Sequence, residues 1–215
     1  MKKPGRFISF EGGEGVGKST QIRRLARTLG EAGVETVTTR EPGGTEGAEA
    51  IRALVTEGAA DRWSPLTETL LFIAAREDHV ERLVRPALED GIWVLSDRFM
   101  DSTRVYQGLA GTLGLEMIDG LHQRIFGDMK PDLTLILDLP VEIGLARRRG
   151  GGEVNRFDRM VTSFHETVRE GFLGLANLEP ARFEIVDAMP GEDEVAADIA
   201  ELIKRRFPDL EGGSG

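Results

Sequence analysis

Short apolar runs alternate along this chain with segments whose apolar residues recur three and four positions apart, the two spacings that separate strands from helices. The runs fall at 7–10, 34–39, 91–97, 133–138 and 182–186, and each predicts a strand. Helical spacing fills 19–30, 46–57, 67–90, 116–126, 141–149, 157–178 and 195–207. Pro140 ends the fourth run, since it has no N–H for a neighbouring strand. Stretches such as Ile92-Trp93-Val94-Leu95 and Leu133-Thr134-Leu135-Ile136-Leu137 show almost no polar alternation, so both of their faces must be covered. The expected fold class is α/β, a parallel sheet of about five strands with helices on both faces. Ligands of such sheets sit at the carboxyl ends of the strands. The segments after residues 10 and 37, and Asp97 itself, would meet there.

With 215 residues and 40% of them apolar, the chain can bury one sizeable core. A single domain is expected over 1–210, with 211–215 as a flexible Gly-Ser tail. No apolar run is long enough to span a bilayer. Residues 1–6 lead straight into the first strand without a signal-peptide pattern. Cysteine is absent, so disulfides and thiolate metal sites are out and a cytoplasmic setting is expected. A net charge of −10 argues against nucleic acid or a membrane surface as partner, because both are polyanionic. An acidic chain that binds phosphates has to gather its arginines into one cleft.

The loop after the first strand reads Gly12-Gly13-Glu14-Gly15-Val16-Gly17-Lys18-Ser19 and fits G-x-x-x-x-G-K-[ST] at every constrained position. Glycines let the backbone close around an anion with its N–H groups inward. The helix that follows adds a partial positive charge. Residues Gly12 to Thr20 are therefore expected to hold ATP or a similar triphosphate, with Lys18 on the outer phosphates and Ser19 as a Mg²⁺ ligand. This makes the sheet P-loop NTPase-like. The loop alone does not separate GTPases, helicases and kinases.

Four further segments narrow the choice. Thr39-Arg40-Glu41-Pro42-Gly43-Gly44-Thr45 closes the second strand. Phe72 and Arg76 lie one helical turn apart and share a face, with His79 three residues on. An aromatic ring can stack on a base and an arginine fork can bond its carbonyl. The same spacing also suits a core phenylalanine beside a surface arginine, and His79 reads as structural. Asp97 ends an apolar strand in the Walker-B placement near Mg²⁺, and Arg98 can clamp a phosphate; a strand-end ion pair is the plain alternative. Ser102-Thr103-Arg104-Val105-Tyr106-Gln107-Gly108 follows and holds the chain's one tyrosine. Last, Arg147, Arg148 and Arg149 precede Gly150-Gly151-Gly152 and Asn155-Arg156-Phe157-Asp158. These arginines either offset a helix dipole or serve phosphoryl transfer, where a positioned arginine contributes roughly 10³ to 10⁵ in rate.

Taken in order, these segments resemble the bacterial thymidylate kinases over nearly the whole chain, and Thr-Arg-Glu-Pro-Gly-Gly-Thr and Ser-Thr-x-x-Tyr-Gln-Gly are the specific parts. The resemblance implies transfer of the γ-phosphoryl of ATP to dTMP with Mg²⁺, by a homodimer with a short lid at about 147–158. It implies that Phe72 stacks on thymine, that Arg76 bonds its O4, and that Ser102, Thr103 and Gln107 line the base pocket. Tyr106 would pack where a 2′-hydroxyl would be, and Glu11 would bond the 3′-hydroxyl. Glu41 and Arg52 would border the acceptor site, Arg98 would hold its phosphate, and Asp97 would lie near the metal. Arg40 receives no role. Glu14 stands where one arrangement in the family carries arginine, so the catalytic arginine is expected in the lid, among Arg147, Arg148, Arg149 or Arg156. The glycines at 150–152 would supply the hinge. The lid motif departs mildly from Asp-Arg-x-Glu. Another deoxynucleoside or nucleoside-monophosphate kinase is the nearest rival. A GTPase switch would need Asn-Lys-x-Asp, which is missing, and a nucleic-acid ATPase is disfavoured by the acidic charge and short length.

Overall fold

A computed structural model describes residues 5–59, 61–150, 157 and 160–210. The strands are β1 (Phe7–Glu11), β2 (Thr36–Arg40), β3 (Trp93–Asp97), β4 (Leu133–Asp138) and β5 (Phe183–Asp187). They form one parallel sheet in the order β2-β3-β1-β4-β5. The helices are α1 (Lys18–Glu31), α2 (Glu46–Thr56), α3 (Pro65–His79), α4 (Arg85–Glu89), α5 (Met100–Thr103), α6 (Leu115–Phe126), α7 (Val141–Arg149), α8 (Thr162–Leu178) and α9 (Glu192–Arg206). The chain leaves central β1 for the β2 edge and later crosses to β4 on the other side. That reversal opens a crevice at the carboxyl end of β1.

Alternation along β1 assigns its two faces. Ile8 and Phe10 pack with Ile22, Leu25 and Leu29 of α1 and with Val195, Ile199 and Ile203 of α9. Phe7 points the other way, toward Ile73, Val84 and Phe99, and Ile136 of β4 meets Val168, Phe172 and Leu175 of α8. Burying one such side chain contributes roughly 1.5–3 kcal/mol. That exceeds the whole spread of strand propensity, about 1 kcal/mol, so burial on both faces fixes the three inner strands, β1, β3 and β4.

Three differences from the sequence pattern matter. The helix predicted at 67–90 begins earlier, where Ser64 accepts from Thr67 N and Pro65 fills the first turn. It then passes through a π-helical turn, Val80–Val84, into α4. Pro86 brings no N–H to the ladder there, which favours the wider turn. Residues 100–109 show no apolar period, yet α5 continues as a π-helical turn, Arg104–Leu109. Its inward residues Asp101, Thr103, Arg104 and Gln107 are buried polar groups, so hydropathy hides the helix. Of the segment predicted helical from 157, α8 takes up Thr162–Leu178. Lid residues 151–156 and 158, with Asn155, Arg156 and Asp158, and the 211–215 tail lie outside the described residues. Among the described residues no helix is long and apolar enough to cross a membrane.

Candidate active site

The β1–α1 loop wraps the start of α1. Gly17 takes φ 97° ahead of Lys18 and Ser19, the first helical residues. Gly15 has φ 69°, and a Cβ there would come within 2.0 Å of the Gly144 carbonyl oxygen. Only glycine lets the loop lie this close to α7. Lys18 Nζ donates back to the carbonyls of Gly12 at 3.3 Å and Gly13 at 2.8 Å. Burial and the Arg98 charge lower the Lys18 pKa, against the pull of Asp97, Glu14 and Glu11. Ser19 Oγ donates to Asp97 Oδ2 at 2.6 Å, so a hydroxyl and a carboxylate meet beside the loop. These are hard oxygen donors of the kind Mg²⁺ takes alongside phosphate oxygens.

Arg98 has φ 72°, the one positive φ outside glycine among the described residues. Such a backbone costs a non-glycine residue about 1–2 kcal/mol, and it turns the side chain back over the loop. Nη1 donates to Gly12 O at 3.2 Å and Ser102 Oγ at 3.0 Å. Nη2 donates to Glu14 Oε1 at 2.8 Å and Tyr106 Oη at 3.3 Å. The guanidinium also lies 5.1 Å from the Tyr106 ring centroid.

Glu11 and Glu14 flank the loop with opposite electrostatics. Glu11 is fully buried and accepts from Phe99 N at 2.8 Å and Ser102 Oγ at 2.6 Å. Burial, then the Asp101 charge, push its pKa up to about 7. Burial would raise Glu14 as well, but Arg98, Lys18, the Tyr106 hydroxyl and Arg148 together hold it down to about 2.

The opposite wall comes from the β2 end, α3 and α5. Arg76 Nε donates to Glu41 Oε2 at 2.7 Å, and Nη2 donates to Phe99 O at 3.1 Å and Thr103 Oγ1 at 2.9 Å. Burial raises the Glu41 pKa, but Arg76 and His79 outweigh it and keep the group a carboxylate. Arg52 Nη1 donates to Pro42 O at 2.7 Å, and Gln107 Nε2 to Glu68 Oε1 at 2.8 Å. The Phe72 ring centroid lies 6.2 Å from that of Phe157, which is 5.6 Å from that of Tyr106.

All of this borders one cleft of about 930 Å³. Glu14 to Thr20, Glu41, Arg52, Phe72, Arg76, Asp97, Arg98, Ser102, Thr103, Tyr106, Gln107, Arg147 and Arg148 line it. Gly12 and Gly13 line a small hollow behind the loop instead. Arg149 is exposed and is not among the residues that line the cleft. Glu11 is buried beside the cleft, with its oxygens engaged by Phe99 N and Ser102 Oγ. Sequence reasoning did not pick out Arg40, Thr56, Phe157 or the run Ala188, Pro190, Gly191 and Glu192, all of which line the cleft. That run follows β5 at a strand carboxyl end, the one signal that could have marked it. Arg147 reaches it by donating from Nη1 to Ala188 O at 3.2 Å.

A G-x-x-x-x-G-K-[ST] loop and the Arg98 guanidinium border the same cleft, an arrangement suited to phosphate chemistry. Fold and site thus define a phosphotransferase of the P-loop class. The family model for thymidylate kinase matches residues 10–199. Thymidylate kinase of Caulobacter vibrioides is 54% identical over 203 residues, 94% of this chain and 98% of that protein. That of Bradyrhizobium diazoefficiens is 52% identical over 206 residues, 94% of this chain and 90% of the relative. A crystal structure of thymidylate kinase from Ehrlichia chaffeensis superposes with a TM-score of 0.77 at 33% identity, covering 93% of this chain and 100% of the other. The chain belongs to the thymidylate kinase family, and its function is that of a nucleotide-biosynthetic kinase.

Proposed function

We propose that the cleft transfers the γ-phosphoryl of ATP in line to the 5′-phosphate of dTMP, giving dTDP and ADP. One observation carries this reading: a continuous cleft runs from the phosphate loop to the Phe72 and Arg76 pair. The loop and Lys18 hold the donor phosphates. Arg98 holds the acceptor phosphate, whose oxygen is already an anionic nucleophile, so no side chain has to remove a proton. Arg147 and Arg148 neutralise charge on the group in transit, a contribution of roughly 10³ to 10⁵. Ser19 and Asp97 would hold Mg²⁺, which when bound offsets charge on the β- and γ-phosphates.

At the far end Phe72 stacks on the base, Arg76 donates to its carbonyl, and Ser102, Thr103 and Gln107 complete the pocket. Tyr106 packs on the sugar, and Glu41 and Arg52 border the site. Glu11 fixes Ser102 and the Phe99 amide from below. The setting is cytoplasmic. Leu66 and Leu70 of α3, with Met117 and Ile125 of α6, are exposed apolar side chains that support a homodimer through this face, measurable by light scattering.

An ADP-release assay with ATP·Mg²⁺ and dTMP, dUMP, dCMP, dGMP, AMP or water tests the reaction. Strong turnover is expected on dTMP, weaker on dUMP and almost none elsewhere. Preference for another monophosphate would overturn the Phe72, Arg76 and Tyr106 roles. Hydrolysis without any acceptor would overturn transfer.

A further inference from the structure

Behind the base end of the cleft runs a chain of polar side chains whose outer members touch no part of it. Thr39 Oγ1 lies 2.7 Å from His79 Nε2, and His79 Nδ1 lies 2.9 Å from Glu41 Oε1. Glu41 Oε2 in turn accepts from Arg76 Nε at 2.7 Å. His79 is fully buried, and Glu41 and Arg76 nearly so. A carboxylate only accepts, so His79 donates to Glu41 from Nδ1, and the Thr39 hydroxyl satisfies its other nitrogen. The following loop seals the pair: a Cβ on Gly44, at φ 88°, would come within 2.4 Å of Thr39 Oγ1 and 2.9 Å of His79 Nε2.

On the far side, Phe99 O and Thr103 Oγ1 take the two N–H groups of Arg76 Nη2. Nη1 has no partner among the described residues, and Arg76 lines the cleft. Its two N–H groups are therefore what the guanidinium offers a ligand.

We propose that Thr39 and His79 are positioning residues for base selection. They hold the Glu41 carboxylate, Glu41 holds the Arg76 fork, and the fork presents only donors to the base edge. A 4-oxo pyrimidine places an acceptor there. A 4-amino pyrimidine places N–H donors there, and two donors facing each other in a dry site are unfavourable. The inference rests on the Arg76 role proposed above and extends it to residues that contact no substrate.

The test is steady-state kinetics of wild type, His79→Leu, His79→Asn and Thr39→Val, with dTMP, dCMP and ATP varied in turn, beside thermal melts. His79→Asn keeps a side-chain N–H for Glu41; His79→Leu removes it. The Leu variant is expected to raise the KM for dTMP about tenfold and shrink the dTMP-over-dCMP ratio of kcat/KM by a similar factor, while the KM for ATP moves less than about twofold. His79→Asn recovers most of the ratio. Thr39→Val gives the same pattern more weakly and carries the test alone if the Leu variant does not fold. A folded variant that melts lower yet keeps the wild-type ratio would overturn the inference and leave the chain a purely structural feature. A wild type that uses dCMP as readily as dTMP would overturn the Arg76 role first, and this inference with it.

Discussion

In the proposed reading the groups at the phosphate end of the cleft are mostly backbone, from Gly12 to Ser19, with Lys18 arched over them, whereas those at the base end are side chains from three separate elements, Glu41, Arg76 and Thr103, bonded to each other before any ligand arrives. Backbone N–H groups at a helix start recognise charge and carry no information about what the phosphate is attached to. A buried side-chain network does carry it, because every member must be satisfied and a wrong base leaves one unpaired. The two ends should therefore fail differently. Damage at the base end threatens folding as well as specificity, while damage at the phosphate end removes activity from an intact fold.

The sharpest contrast comes from Glu41→Leu. It strands the Arg76 guanidinium in the interior, and losing one partner of a buried pair costs about 3–5 kcal/mol. Chemical denaturation is expected to show a loss of that size; a change near zero would erase the distinction between the two ends. Lys18→Ala should leave the denaturation curve close to wild type and lower kcat by about 10² to 10³. Turnover within tenfold of wild type would remove Lys18 from the mechanism.

A third experiment uses the two glutamates of the loop. Glu11 has its pKa raised to about 7, so its protonated form stabilises the fold at low pH. That contribution is complete below the unfolded value of about 4.5 and disappears as pH rises through 7. Against Glu11→Gln, wild type should lose on the order of 2–3 kcal/mol between pH 4.5 and 8. Glu14, held down to about 2, has the opposite sign: its contribution is present above 4.5 and is lost only as pH falls toward 2. Glu14→Gln should therefore show no such trend between pH 5 and 8, and matching pH profiles for the two variants would refute the assignment. The smallest effect expected is from Phe72→Ala, which should weaken dTMP binding about tenfold and leave ATP binding within about twofold. Equal losses in a titration of each ligand would contradict stacking.

How much of this was legible depended on whether a feature is contiguous. The phosphate loop could be read because its motif is one unbroken stretch of chain, and the inner strands because burial on both faces erases polar alternation. The helix over 100–109 could not be read, since Asp101, Thr103, Arg104 and Gln107 face inward and mimic a surface segment. Ala188, Pro190 and Gly191 carry no chemistry of their own to mark them; they line the cleft through their place at the end of β5.

By itself, the sequence determined the parallel α/β sheet, the triphosphate loop and the family, because burial period and local spacing are properties of neighbouring residues. The tertiary structure decided which groups face one another. It brought Thr39 to His79 across forty positions of chain, buried Glu11 against Phe99 and Ser102, and set Arg147 and Arg148 in the lining of the cleft while Arg149 is exposed. These are matters of helix phase and strand order. Each successive residue of a helix rotates by about 100°, and only packing against the rest of the molecule sets where that rotation begins.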